Sequence, residues 1–224
     1  MKPDFTSILF DLDGTIVDSA PGITAALAYT FERLGLPVPS PTELLAYVGP
    51  PLLDSFCKLA GFSPDDSATA LEVYREKYLA GGVYDASVYP GVGDVLRAIH
   101  ESGIPLSLAT SKPESSAKLI LEHTGLIGYF DVITGASEDE VRSTKADVVF
   151  EALVRLNAIG ADLSRPVMVG DRSYDVLGAA AHNVPTIFTQ WGYGSAVEEV
   201  GAIAVATTAS DLIRLLFPRL PNPG

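Results

Sequence analysis

In Phe10-Asp11-Leu12-Asp13-Gly14-Thr15, the phenylalanine is the last residue of the apolar run Ser7-Ile-Leu-Phe10. The run reads as a short buried strand, and the two aspartates fall where that strand ends. Two carboxylates two residues apart repel each other, and aspartate is a poor strand residue. Asp and Gly are also ordinary turn formers, so this stretch alone permits either a plain turn or a reactive site.

Further along the chain, more apolar runs repeat the pattern of the first. Pro105–Thr110, Asp131–Thr134, Pro166–Gly170, Pro185–Phe188 and the weaker Ala202–Val205 read as strands. Helical segments, Val92–Glu101, Glu114–His123, Lys145–Asn157 and Tyr174–His182, lie between most of them. Alternation of this kind predicts an α/β fold, a doubly wound parallel sheet with helices on both faces.

The stretch 17–86 breaks the alternation. It reads as helices only, over Gly22–Leu34, Thr42–Ala46, Leu52–Ala60 and Pro64–Leu79. Pro37, Pro39, Pro41, Gly49-Pro50-Pro51 and Gly61 punctuate them, with proline at helix starts and glycine at ends. The expected organisation is an α/β core of residues 1–16 and 87–224 with a small helical cap domain, 17–86, inserted after the first strand. An insert at that sheet edge is better placed as a lid than as decoration, because open α/β sheets bind ligands there. Pro218–Gly224 is proline-rich and is expected to fray.

The 224 residues are 47% hydrophobic, enough for a large core, and carry 15 Lys+Arg against 28 Asp+Glu, a net charge of −13. An acidic chain repels phosphate backbones, which argues against a nucleic-acid partner. An anionic small molecule would then need a local positive site. Cys57 is the sole cysteine, so no internal disulfide can form. No apolar stretch reaches membrane-spanning length, and Asp4, Asp11 and Asp13 do not suit a signal peptide. The expectation is a cytoplasmic protein with no membrane partner.

Three more stretches stand at strand ends. In Gly170-Asp171-Arg172-Ser173-Tyr174-Asp175, Asp171 repeats the placing of Asp11. Asp175 falls in the next helix's first turn, where the dipole favours an anion, a structural role of real weight. Asp11, Asp13 and Asp171 at one sheet edge would make a hard oxygen site suited to Mg2+. In Ala109-Thr110-Ser111-Lys112-Pro113, free N–H groups would suit a phosphate, although a hydroxyl N-cap explains Thr110 and Ser111 equally well. Lys145 opens a helix, where a cation costs about 0.3–1 kcal/mol if exposed. Most such lysines are merely solvated, but the other stretches call for a positive charge.

Taken together, D-x-D-G-T, a strand-end Thr, a Lys and G-D-x-x-x-D resemble the haloacid dehalogenase superfamily over essentially the whole chain. Asp11-Leu-Asp-Gly-Thr-Ile-Val-Asp-Ser19 and Tyr89-Pro90-Gly91 most resemble its phosphoglycolate phosphatases, which carry a helical cap. The resemblance implies a Mg2+-dependent phosphatase acting on a small phosphorylated metabolite, as monomer or homodimer. It implies that Asp11 is a nucleophile forming an aspartyl-phosphate and that Asp13 is the acid/base. Mg2+ would be bound by Asp11, Asp171 and the Asp13 carbonyl, and phosphate by Thr110, Ser111 and Lys145. Thr15 and Asp175 would be supporting residues, with Asp175 orienting Lys145 or a water. A nucleotidase, a pyrophosphatase and a sugar phosphomutase remain alternatives, although Thr15 is a phosphatase choice. A non-enzymatic binding protein would have no need of the set. The cap lysines Lys58 and Lys77 do not stand out as imine formers.

Other residues read as structural. His100, His123 and His182 share no ligand spacing and sit near helix C-termini. Cys57 is expected to be a small buried hydrophobe. Gly192-Tyr193-Gly194 is expected to be a turn and Ser137–Glu140 a solvated acidic loop, although the latter follows a strand and could border a site. Gly49-Pro50-Pro51-Leu52 reads as a helix start that could also shape the cap face.

Overall fold

The computed structural model describes residues 5–218. The expected fraying of the C-terminal tail therefore lies, from residue 219 on, outside the described residues. A six-stranded parallel sheet forms from β1 (Ser7–Phe10), β4 (Leu106–Pro113), β5 (Val132–Ala136), β6 (Pro166–Gly170), β7 (Thr186–Thr189) and β8 (Ala204–Ala206). Its order is β5-β4-β1-β6-β7-β8.

The pleat sends alternate residues of β1 to opposite faces. Ile8 and Phe10 join a core with α5 (Val92–Ser102), α6 (Glu114–His123) and α9 (Ala209–Leu216). Leu9 joins a second core with Met168 of β6, α7 (Lys145–Ala158) and α8 (Ser173–Ala180). Both faces are thus covered, as the continuously apolar strands demand. The chain runs outward from β1 through β4 to β5, then crosses back to β6 on β1's other side. The order therefore reverses at β1, and a crevice opens beyond its carboxyl end, where such sheets take ligands.

Four helices fill the interval after β1: α1 (Ala20–Arg33), α2 (Pro41–Leu45), α3 (Leu52–Leu59) and α4 (Pro64–Leu79). Ser40 and Ser63 cap α2 and α4 by accepting the backbone N–H groups of Glu43 and Asp66. Phe31, Tyr47, Phe56 and Phe62 pack with ring centroids 5.8–6.4 Å apart. Such pairs add about 0.5–1.5 kcal/mol each beyond area burial. The two chain crossings between these helices and the sheet pair as an antiparallel ribbon of β2 (Val17–Asp18) and β3 (Ser87–Val88), which the sequence pattern did not reveal.

Three expectations need correction. Cys57 is exposed, because the apolar stripe of α3 buries Phe56 and turns its neighbour outward. β4 continues past Thr110 to Pro113, and α6 has no side-chain cap, so Thr110 and Ser111 are not hydroxyl N-caps. The acidic loop is not simply solvated: Glu140, in a left-handed conformation (φ 60°), forms an ion pair with Arg75 of α4.

Candidate active site

The turn after β1 is set by short-range hydrogen bonds. The Asp11 N–H donates to Val169 O at 2.9 Å, extending the β1–β6 ladder. Ile16 and Val17 donate back to Leu12 O, and Gly14 donates to Val17 O. Gly14 takes φ +83°, and a Cβ there would strike the Asp171 carboxylate. Glycine is required on both counts.

Asp11 is buried, and its Oδ1 lies 2.8 Å from Lys145 Nζ. The same ammonium is 2.8 Å from Asp175 Oδ1 and donates to Ala109 O at 3.1 Å. Thr144 caps α7 by accepting from the Asp147 N–H, so the helix starts at Lys145 and turns that side chain under the sheet edge. A Cβ at Gly178 of α8 would strike the Lys145 stem. The lysine is therefore buried, not solvated, and its three acceptors come from three different elements.

Asp175 also performs the structural task that its position predicts. Its Oδ2 accepts the N–H groups of Asp171 and Arg172 at 3.1 and 3.0 Å, closing the start of α8. Asp171 is fully buried. It accepts from Thr15 Oγ1 at 3.0 Å and from the Tyr193 N–H at 2.7 Å. The Gly192-Tyr193-Gly194 turn thus borders the site, and a Cβ on either glycine would run into Asp171. Its tyrosine hydroxyl accepts from the N–H groups of Ser19 and Ala20 and donates to Asp18 Oδ1. The residue types in that turn gave no signal of this.

Carboxylate oxygens of Asp11, Asp171 and Asp175 lie within 4.8 Å of one another. Against Lys145 they leave a formal charge of 1 − 3 = −2 in a buried space. Burial, then repulsion from Asp175 and Asp11, pushes the Asp171 carboxyl well above its ordinary range. Burial likewise pushes Asp175 up to about 6, against the opposing pull of Lys145. Burial would lower the Lys145 ammonium, but Asp11 and Asp175 outweigh it and raise its pKa. An all-oxygen, over-charged donor set fits a hard divalent cation. The sequence reading gave the third aspartate's place to Asp13 through its main-chain carbonyl. The Asp13 carboxylate is not one of the three clustered groups.

That carboxylate points instead into a cleft. Asp13 Oδ2 lies 3.1 Å from Lys112 Nζ, and Ser19 Oγ donates to Oδ1. Lys112 also donates to the Tyr78 hydroxyl at 2.9 Å and stands 4.7 Å from that ring's centroid. It sits beside Thr110 and Ser111, both buried, and Thr110 Oγ1 accepts the Lys112 N–H at 3.3 Å. The sequence reading passed over Lys112; its place two residues after Thr110 at a strand end was the available signal. The cleft encloses about 740 Å³ of space, counting its open side, between the sheet edge and α1–α4. Gly49–Leu52, Glu138 and Glu140 help line it. Lys58 pairs with Asp54 on the surface, and neither it nor Lys77 lines the cleft.

The described residues contain no helix long and apolar enough to cross a membrane. The tyrosine-protein kinase PtkA of Mycobacterium tuberculosis is 41% identical over 189 residues, which is 84% of this chain and 63% of that protein. The chain thus spans under two thirds of that relative's length. A 5'-nucleotidase of Pseudomonas aeruginosa is 35% identical over 85% of each chain. A phosphoglycolate phosphatase of Aquifex aeolicus is 30% identical over 93% of this chain and 95% of its own. The crystal structure of a predicted phosphatase from Clostridium acetobutylicum superposes with a TM-score of 0.88 at 36% identity, covering 94% of this chain and 97% of that one. The profile of the haloacid dehalogenase-like hydrolases matches residues 8–189, and the chain belongs to that family.

Proposed function

We propose that the protein is a Mg2+-dependent phosphatase that hydrolyses a small phosphate monoester through an aspartyl-phosphate on Asp11. The observation that carries this reading is the Lys145 ammonium held at 2.8 Å from both Asp11 and Asp175, beside Asp171. The arrangement sets an anionic nucleophile in a pocket otherwise suited to cations and phosphoryl oxygens.

Phosphate-ester hydrolysis is extremely slow without a catalyst, with enhancements up to ~10²¹ in the extreme. Positioning alone does not reach that figure, so three tasks fall to named residues. The Asp11 carboxylate attacks phosphorus. Asp13, aimed into the cleft, protonates the departing ester oxygen and then takes a proton from the water that hydrolyses the intermediate. Thr110, Ser111 and Lys145 hold the phosphoryl oxygens, and Lys145 offsets charge as it develops. Asp11, Asp171 and the Asp13 carbonyl would hold Mg2+, with Asp175 fixing Lys145 and the Asp171 backbone; when bound, the ion supplies positive charge to the phosphoryl oxygens. Thr15 keeps Asp171 aimed. Residues 17–86 act as a cap over a core of 1–16 and 87–224. The setting is cytoplasmic, for a monomer or homodimer.

A phosphoglycolate-like ester is the preferred substrate; a nucleotide, pyrophosphate and a sugar phosphate are the alternatives. The kinase name of the relative at 41% identity favours one further reading, transfer from a nucleotide to a tyrosine hydroxyl. Phosphate release from p-nitrophenyl phosphate with Mg2+ separates the phosphatase reading from the kinase reading. The phosphatase reading expects turnover that Asp11→Asn abolishes, and a phosphoryl adduct on Asp11 that accumulates in Asp13→Asn. Phosphotyrosine formed from ATP, without phosphate release from any ester, would establish the kinase instead.

A further inference from the structure

Lys112 is almost completely buried, yet it lines the cleft. On the reading above, Asp13 must face the ester oxygen of the substrate to protonate it. An ammonium 3.1 Å from Asp13 Oδ2 therefore stands beside whatever that ester oxygen is attached to. Lys112 is also fixed before any ligand arrives. Its nitrogen donates to the Tyr78 hydroxyl and rests over the Tyr78 ring, so a bound partner would gain a rotamer that is already ordered.

An ammonium has three N–H donors. Asp13 and Tyr78 take two, and Lys112 lines the cleft, so a bound anion there could take the third. Arg75, the other cation of the lining, is held at the side by Glu140. In a chain of net charge −13, Lys112 is thus the cleft-lining cation in contact with Asp13.

We propose that Lys112 is a specificity-determining residue that binds an anionic group carried by the leaving group, next to the ester oxygen. The substrate class is then a small phosphate ester or anhydride bearing a second negative charge, either a carboxylate on the adjacent carbon or a second phosphoryl group. The proposal rests on the phosphatase reading and deepens it.

Three substrates test it: phosphoglycolate, pyrophosphate, and ethyl phosphate, whose two-carbon leaving group has no second charge. The wild-type protein is expected to favour at least one of the anionic pair over ethyl phosphate in kcat/KM by roughly 10- to 100-fold, the range of one charge-assisted hydrogen bond. Which of the two it favours names the source of the charge. Lys112→Met is expected to collapse that ratio toward one, mostly through KM, whatever factor all three substrates lose in common. Circular dichroism and a melting curve check that the variant is folded, and Lys112→Arg, which keeps the charge, should retain part of the preference. An equal loss on all three substrates, or no wild-type preference while p-nitrophenyl phosphate is hydrolysed, overturns the proposal and leaves the phosphatase reading standing. A wild-type protein with no turnover on any ester overturns both.

Discussion

Asp11 Oδ1 and Lys145 Nζ, from opposite halves of the sequence, meet at 2.8 Å in a space from which water is nearly excluded. Removing one partner of a buried ion pair leaves the other charge uncompensated. In Lys145→Met, Asp11, Asp171 and Asp175 would be left facing one another without a cation. The variant should lose about 3–5 kcal/mol of stability in EDTA. Mg2+ should restore part of it, and phosphatase turnover should be lost. Chemical denaturation with and without Mg2+ measures the first two; an unchanged unfolding midpoint in EDTA would contradict the charge balance described.

The raised carboxyls set a pH dependence for the metal-free protein. Asp175 is pushed up to about 6 from an ordinary 3.8, and Asp171 moves in the same direction. A carboxyl raised by folding binds protons more tightly in the folded chain than in the unfolded one. Its stabilising share is whole below the ordinary value and disappears as pH rises through about 6. Melting temperatures in EDTA should therefore fall between pH 4 and pH 7. Mg2+ affinity should rise over the same interval, because ion and proton compete for the same oxygens. A melting temperature that climbs with pH in EDTA would refute this.

Gly192 lies where a Cβ would run into both the Asp171 carboxylate and Gly14 O. Gly192→Ala should displace Asp171 while leaving the sheet intact. The Mg2+ concentration for half-maximal activity should rise about 10- to 100-fold, as when a group that orients a metal ligand is lost. A Mg2+ titration of activity reads the effect directly. A titration superimposable on the wild type would mean that Asp171 tolerates the added methyl.

Tyr193→Phe tests the other end of that turn. It removes the acceptor for the N–H groups of Ser19 and Ala20 and the donor to Asp18, while keeping the Tyr193 N–H on Asp171. The expected cost is about 1–2 kcal/mol, for the Ser19 amide left short of a partner, since the Ala20 amide keeps Asp18 Oδ1 at 3.1 Å. Mg2+ dependence should change little. A large shift in the Mg2+ requirement would place the tyrosine's role at Asp171 instead.

Much of the fold was legible in the sequence because its signals are local. Pro64 and the serine before it fix the start of α4, and α4 and α6 fall on the residues their periodicity marks. The strand runs are apolar on both faces and bounded by Gly or Pro, so they stood out. What escaped notice depends on partners distant in the chain. A ribbon of Val17–Asp18 against Ser87–Val88 has no pattern of its own at two residues a strand. Lys112 and Lys145 are both lysines near a helix start, and only tertiary packing separates a buried lysine from a solvated one. Tyr193 acts on Asp171 through its backbone N–H, which every non-proline residue carries, so no residue type could have announced it.

The ribbon has one more consequence. Val17 pairs with Val88 and also closes the turn that carries Asp13, through the Asp13–Val17 bridge and the Gly14 N–H on Val17 O. The first covalent connection to the helices therefore leaves through the turn that carries Asp13, and the second returns hydrogen-bonded beside it. A substitution that disturbs the Val17–Val88 pairing therefore reaches the turn carrying Asp13 through hydrogen bonds, without touching a side chain of the cleft.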